Sequence, residues 1–235
     1  MIEFDKYDVL TFDCYGTLID WRSGILAVLK PLLANHNVSL DDNQILEIYA
    51  EFESEQEKGE YTKYRDVLKA VVRKFGERLS FKPSLSEQDS LPDSIKNWQP
   101  FPDTIEALQS LKKRFKLAII SNVDDDLFAF TAQRLGIEFD QVITAEQAKS
   151  YKPSPNNFKL AIERIGLPPE KVLHVAGSIY HDIVPASSLG LSTVWVNRTN
   201  KEGRGAEPAA SGKADLEVTD LQTLAALTNS KTVEG

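Results

Sequence analysis

Apolar residues fall in short runs at 8–13, 117–121, 172–175 and 193–196, each bounded by polar or turn-forming residues. Such runs are the pattern of strands buried on both faces of a parallel sheet. Between them the spacing changes to three and four. Segments 103–115 (with Ile105, Leu108 and Leu111), 127–135, 156–165 and 183–189 have the helical period and the length that a crossover between parallel strands needs. The alternation predicts an α/β fold, a Rossmann-like doubly wound parallel sheet.

The stretch 21–98 interrupts this alternation. It holds no strand run and reads as successive helices at 25–33, 41–57 and 61–75, the last closed by Gly76. The expected organisation is a core from 1–20 and 99–235 with an inserted helical cap domain at 21–98. The polar stretch 80–93 reads as a loop or ragged helix leading back to the core. The glycine-bearing 197–213 reads as a surface loop and 229–235 as a frayed tail.

Composition narrows the function classes. A chain of 235 residues, 42% hydrophobic, can bury a full core. No apolar run approaches the roughly 20 residues of a membrane span, and the first residues lack the basic-then-apolar layout of a signal peptide. Cys14 is the single cysteine, which removes internal disulfides and cysteine zinc clusters and fits a reducing cytoplasm. A net charge of −8 argues against a nucleic-acid partner, because phosphate backbones are bound by clustered Lys and Arg. The expected partner is a small molecule; nothing in the sequence stands against a homodimer.

Candidate chemistry sits where the apolar runs end. Asp13 closes the first run just before a turn at Gly16, and ligands of open α/β sheets bind beyond the carboxyl ends of the strands. Asp13 is therefore either a nucleophile or the cap of a tight turn. Ser121 and Asn122 end the second run as polar donors or as helix N-caps. Lys152, fixed by Pro153, is either a solvated charge or an ammonium that keeps a nearby carboxylate ionised. After the third run come Ser178 and Asp182, the latter a second carboxylate or a helix cap. His181 reads as exposed or as an aid to a water molecule, and His174, inside a strand, as structural. Cys14 reads as core filler more readily than as a nucleophile.

The order strand-Asp13-Cys14-Tyr15-Gly16-Thr17, helical insertion, strand-Ser121-Asn122, Lys152-Pro153, strand-Gly177-Ser178 and Asp182 resembles the haloacid dehalogenase superfamily over nearly the whole chain. Tyr15, two residues after the candidate nucleophile, resembles the 2-haloacid dehalogenase branch; phosphatase members place an aspartate there as general acid. The resemblance implies that Asp13 displaces the 2-substituent of a small carboxylic acid to form an aspartyl ester, which water hydrolyses to a 2-hydroxy acid without a cofactor. It implies that Lys152 keeps Asp13 charged and Thr17 orients it. Ser178 and Asp182 would position Lys152 and the water. Cys14, Tyr15, Ser121 and Asn122 would meet the substrate, through backbone N–H groups after Asp13 and through the polar side chains. The alternatives are a Mg-dependent phosphatase with Asp13 and Asp182 on the metal, and a catalytically silent small-acid binding protein.

The chain departs from the dehalogenase pattern in three places. Tyr49-Ala50-Glu51-Phe52-Glu53 stands around the position of the halide-binding cap arginine, Ile179 or Tyr180 at the motif asparagine, and Phe158 at the active-site tyrosine. The segment Phe12 to Trp21, together with Ser178-Ile179-Tyr180-His181-Asp182, is also similar to azetidine-2-carboxylate hydrolases. Glu53, or a neighbouring cap glutamate, is expected either to be solvated or to favour an amine-bearing 2-substituted acid.

Overall fold

A computed structural model describes residues 2–198 and 211–229. Its centre is a parallel six-stranded sheet of β1 (Val9–Phe12), β2 (Lys116–Ser121), β3 (Gln141–Thr144), β4 (Val172–Ala176), β5 (Ser192–Val196) and β6 (Leu216–Val218), in the order β3-β2-β1-β4-β5-β6. The chain winds outward from β1 through β2 to β3, returns to β4 beside β1, and winds the other way. The switch point therefore lies between β1 and β4, where a doubly wound sheet opens its ligand crevice.

Period-two alternation covers both faces. Leu10 and Phe12 of β1, Leu117 and Ile119 of β2, and Leu173 and Val175 of β4 join one core. Helices α5 (Thr104–Leu111), α6 (Asp125–Leu135) and α10 (Leu221–Asn229) pack into it. Val9, Ala118, Ile120 and Val172 point the other way, onto α8 (Pro155–Ile165) and α9 (Val184–Ser188).

Between β1 and α5 stand α1 (Trp21–Asn35), α2 (Asp42–Gln56), α3 (Tyr64–Leu79) and α4 (Leu85–Ser94). Ile25, Leu29 and Leu33 of α1, Ile45 and Phe52 of α2, and Leu68, Val72 and Phe75 of α3 are buried in the cluster that also holds Leu10 and Phe12 of β1. The chain enters and leaves this insert at neighbouring points, since Asp20 N–H donates to the Gln99 carbonyl (2.9 Å) and Phe101 N–H to that of Leu18 (3.0 Å). The Asp124 carboxylate, just before α6, accepts from the Tyr64 and Arg65 N–H groups (both 2.9 Å), capping α3 from the core side.

Several expectations are corrected. Gly76 does not end α3, which runs on until Ser80 takes the left-handed conformation at φ 62°. A Cβ at Gly76 would lie 2.6 Å from the Phe81 carbonyl oxygen, so this glycine answers to a close approach. The polar return segment contains α4, started by a reciprocal Ser84–Glu87 capping box. Strands β3 and β6 and helix α10 were not expected. Of the expected loop 197–213, residues 199–210 lie outside the described residues, as do 230–235 of the expected tail; Asn229 closes α10.

Candidate active site

The ladder of β1 stops at Phe12, and Asp13 N–H still donates to the Val175 carbonyl (3.1 Å). Its carboxylate thus emerges beyond the central strand, at the switch point. The loop then turns sharply through Gly16, whose φ of 98° is a conformation other residues rarely adopt. It lies against the loop after β4, where a Cβ at Gly177 would sit 2.8 Å from the Gly16 carbonyl oxygen. That approach lets the Gly177 N–H donate to Thr17 Oγ1 (2.8 Å), which donates to Asp13 Oδ2 (2.6 Å).

Lys152 reaches the same carboxylate from the far side of β2. The amide of Asn122 holds its backbone at both ends, accepting from Lys152 N–H at 2.7 Å and donating to its carbonyl at 3.1 Å. The ammonium is buried, with 1% of its side chain exposed, and donates to Asp13 Oδ1 (2.8 Å), Asp182 Oδ1 (2.6 Å) and the Ile120 carbonyl (2.9 Å). A lysine ammonium has three donors, and all three are engaged here.

Asp182 lies on the helical turn Ile179–Ile183 after β4 and is as buried as Lys152. Its Oδ1 also lies 3.1 Å from Nε2 of His174, whose Nδ1 is 2.9 Å from Thr11 Oγ1. Ser178 Oγ accepts from the His181 N–H (3.0 Å) and lies 3.2 Å from its Nδ1.

One ammonium thus serves two buried carboxylates. Burial pushes the Asp13 carboxyl above its ordinary value; Lys152 opposes this and Asp182 adds to it. On Asp182 burial also acts upward, but Lys152 and His174 outweigh it and hold the group below the usual range. Burial works against the Lys152 charge, yet the two carboxylates prevail and raise its pKa. His181 is pushed down to about 4, chiefly by burial, and is neutral at pH 7. A desolvated carboxylate fixed by Thr17 and Lys152 is suited to nucleophilic attack.

A cavity of about 100 Å³ opens between these groups and the insert, far below the volume of drug-sized ligand pockets. Asp13, Lys152, Asp182, Ser121, Asn122, Ser178 and His181 line its floor. Ser121 Oγ is fully buried with no hydrogen-bond partner among the described residues, an acceptor and donor left for whatever enters. The opposite wall is aromatic and acidic: Trp21, Tyr49, Tyr64, Trp98, Glu53 and Glu57. Glu53 Oε1 accepts from the hydroxyls of Tyr49 (2.7 Å) and Tyr64 (2.5 Å). Burial raises the Glu53 carboxyl against those two donors. Burial and the neighbouring Glu53 push Glu57 well above the carboxylate range, with Lys152 pulling the other way.

Of the expected site residues, Asp13, Tyr15, Ser121, Asn122, Lys152, Ser178, Asp182 and Glu53 line this cavity, and Thr17 touches Asp13. Cys14 is core filler, as its sequence context suggested, while two other details differ from expectation. Cys14 is fully buried in the apolar core, its thiol pushed up by burial and by Asp13, so its side chain does not reach the cavity. His181 is half-buried and lines the cavity rather than standing free on the surface. The N-cap of α6 is Asp124, not Ser121 or Asn122. The Tyr15 hydroxyl is 2.9 Å from Thr131 Oγ1, so this tyrosine offers the cavity mainly its ring. His174 and Asp124 were missed as site residues, and Glu57 was covered only as an unnamed neighbour of Glu53. Tyr49, Glu53 and Glu57 are spaced by four, a helical stripe that could have been read for Glu57; no local signal marked the partners of His174 and Asp124.

A haloacid dehalogenase-like hydrolase family model matches residues 7–190. The chain belongs to that family. It is 26% identical over 197 residues to haloacetate dehalogenase H-2 of Moraxella sp. (strain B), covering 82% of this chain and 87% of that one. It is 28% identical over 211 residues to (S)-2-haloacid dehalogenase 1 of Pseudomonas sp. (strain CBS-3), covering 84% and 87%. The fold matches L-2-haloacid dehalogenase from Xanthobacter autotrophicus with chloropropionic acid covalently bound, at a TM-score of 0.81 and 22% identity over 96% of this chain and 100% of that one. The chain is thus a hydrolase of this family on an α/β Rossmann-like fold.

Proposed function

We propose that this hydrolase displaces the 2-substituent of a small carboxylic acid through an aspartyl ester on Asp13, releasing a 2-hydroxy acid. The observation that carries the reading is the Lys152 ammonium bridging Asp13 and Asp182 at the floor of a cavity sized for a small acid. Asp13 Oδ attacks the substituted carbon, the bond to the leaving group breaks with its electron pair, and water then attacks the Asp13 carbonyl. Thr17 and Lys152 hold the nucleophile; Ser121 and Asn122 face the substrate carboxylate; Asp182 and Ser178 stand beside the water; the 21–98 insert acts as the cap. The names of the curated relatives and the covalent adduct in the Xanthobacter protein support the same chemistry.

A divalent cation does not fit this site. Among the described residues no group of three or more His, Cys, Asp or Glu side chains is placed to hold a metal ion, and Lys152 Nζ already takes one oxygen of each carboxylate, at 2.8 and 2.6 Å. No step is therefore routed through magnesium. Tyr15 in place of a second acid also argues against phosphoester cleavage, since burial raises its hydroxyl well above the ordinary tyrosine value.

One observation favours an amine over a halide as the leaving group. Among the described residues the cavity lining contains Lys152 but no arginine, and its cap wall carries Glu53 and Glu57. A departing halide would find no unengaged cation there, whereas an amine needs none. That preference is the one the resemblance to azetidine-2-carboxylate hydrolases implies.

The test is turnover of (S)-2-chloropropanoate, azetidine-2-carboxylate and phosphate esters in heavy-oxygen water, followed by mass spectrometry of the peptide containing Asp13. Label in the Asp13 carboxyl, its loss with all turnover in Asp13→Asn, and indifference to a chelator support the reading. Turnover without label, or turnover that survives Asp13→Asn, refutes it. Unchanged rates on both acids in Glu53→Gln would remove the amine preference alone.

A further inference from the structure

We infer that His174 is a positioning residue for ester hydrolysis, acting through Asp182; the inference rests on the aspartyl-ester reading above. Register places it. Parallel pairing of β1 with β4 sets Thr11 directly beside His174, and both are buried on the face away from Leu10 and Leu173. The turn after β4 then brings the Asp182 carboxylate over the ring. A carboxylate oxygen only accepts, so the 3.1 Å contact requires the hydrogen on Nε2; in the neutral ring Nδ1 then accepts from the Thr11 hydroxyl at 2.9 Å. Phe158 meets the ring edge to face at 5.1 Å, so it has little room to turn.

The consequence lies in how Asp182 divides its oxygens. Oδ1 accepts from both Lys152 and His174, while among the described residues nothing donates to Oδ2. Asp182 lines the cavity. Two donors on one oxygen fix the plane of the carboxylate and leave Oδ2 for the hydrolytic water. In that step a water proton passes to Asp182 Oδ2 as the water oxygen bonds to the Asp13 carbonyl carbon. The ester C–O bond then breaks, its electron pair stays on the product oxygen, and that oxygen takes the proton from Asp182. Lys152 alone would leave the carboxylate free to rotate about its 2.6 Å contact. His174 also draws on Asp182, which leaves more of the ammonium's attraction for Asp13.

The step affected separates this role from a merely structural one. Ester formation needs Asp13 and Lys152; ester hydrolysis needs Asp182 aimed. His174→Phe keeps the ring volume and deletes the donor, whereas His174→Gln carries an amide N–H close to where Nε2 stands. With (S)-2-chloropropanoate and azetidine-2-carboxylate as probes, His174→Phe should lower kcat by about tenfold or more, the scale of one buried hydrogen bond to a charged group. KM should fall in parallel, so that kcat/KM stays near wild type, because kcat/KM reports only the steps through ester formation. Ester on the Asp13 peptide should accumulate in the quenched variant, and His174→Gln should restore kcat. A parallel loss of kcat and kcat/KM in both variants, with no ester build-up, overturns the inference. Crystal structures of the two variants give a readout independent of turnover. The Asp182 carboxylate should be rotated in His174→Phe and in place in His174→Gln; an unmoved carboxylate in His174→Phe also overturns it. Wild-type enzyme that never forms an ester with any probe refutes the aspartyl-ester reading instead, and the crystal structures still judge whether His174 aims Asp182.

Discussion

Lys152→Met removes the charge that balances the two carboxylates at the floor of the site while keeping an unbranched apolar stem. Three bonds are lost, at 2.8, 2.6 and 2.9 Å. What remains is two carboxylates whose side chains are 10% and 1% exposed, too dry for water to replace the ammonium. Stranding a buried charge by deleting its partner typically costs about 3–5 kcal/mol, and here two carboxylates are stranded together. The expected loss of unfolding free energy at pH 7 is therefore in the upper part of that range, accompanied by loss of turnover.

The pH dependence gives the sign. In the wild type the lowered Asp182 contributes stability that is present above the ordinary carboxylate value and lost as pH falls. In Lys152→Met the same group, buried without its cation, should have a raised pKa, so its contribution reverses and stability is lost as pH rises. The raised pKa of Lys152 keeps the wild-type ammonium charged throughout pH 4–8. The deficit of the variant should consequently shrink on acidification from pH 8 to pH 4, and most of it should disappear in Lys152→Met with Asp13→Asn and Asp182→Asn. Urea unfolding at several pH values measures it. A deficit under about 1 kcal/mol at pH 7, the worth of an exposed ion pair, or one that stays constant with pH, would refute the buried-pair argument.

Three further outcomes are expected. The His181 pKa, lowered from 6.5 to about 4, means the unfolded chain takes up a proton that the folded one refuses; stability should fall by about 3 kcal/mol between pH 7 and pH 4, and His181→Asn should lose that slope in the same urea series. Asp124→Asn deletes the anion that caps α3 from the core side, so it should cost about 1 kcal/mol, quicken hydrogen exchange at Tyr64 and Arg65, and raise KM more than it lowers kcat; unchanged exchange at those amides would count against the latch. In Gly24→Ala the new Cβ would lie 2.4 Å from Trp98 Cδ1, and the overpacking cost of about 1–3 kcal/mol exceeds the gain of about 0.5–1 kcal/mol in helix propensity. Lower thermal stability and a shifted tryptophan emission should follow, with altered KM because Trp98 lines the cavity.

The parts of the fold that were legible are those whose burial leaves a mark in one segment. β1, β2, β4 and β5 are interior strands largely covered on both faces, so apolar residues dominate them. β3 and β6 are the sheet edges; the first begins with the half-buried Gln141 and Val142, and the second has only three residues, with Glu217 exposed. An edge strand needs less apolar surface, so neither produces a run. Gly76 misled because a glycine demanded by the neighbouring Phe81 carbonyl is written the same way as one that ends a helix. The Ser84–Glu87 spacing was a local signal for α4 and lay in plain view.

The site divides along the same line. Asp13, Thr17 and Asp182 were readable because each follows a strand, and Lys152 because it directly precedes Pro153, in a fixed order along the chain; strand ends share one edge of a parallel sheet. Glu57 sits in a run where Glu51 pairs with Arg78 and Glu55 with Lys74 on the outer surface, so the inward stripe of Tyr49, Glu53 and Glu57 is hidden among outward charges. Its position matters for what can enter. Asp13, Asp182 and Lys152 together carry one negative charge, and a substrate carboxylate adds another. If Glu53 and Glu57 were both ionised as well, a small anionic acid would meet a repelling cavity. Burial pushes both glutamates upward, and Glu53 adds to the rise of Glu57, which lessens that repulsion. Were the substrate an amine-bearing acid, as proposed above, its ammonium would offset the rest of that charge.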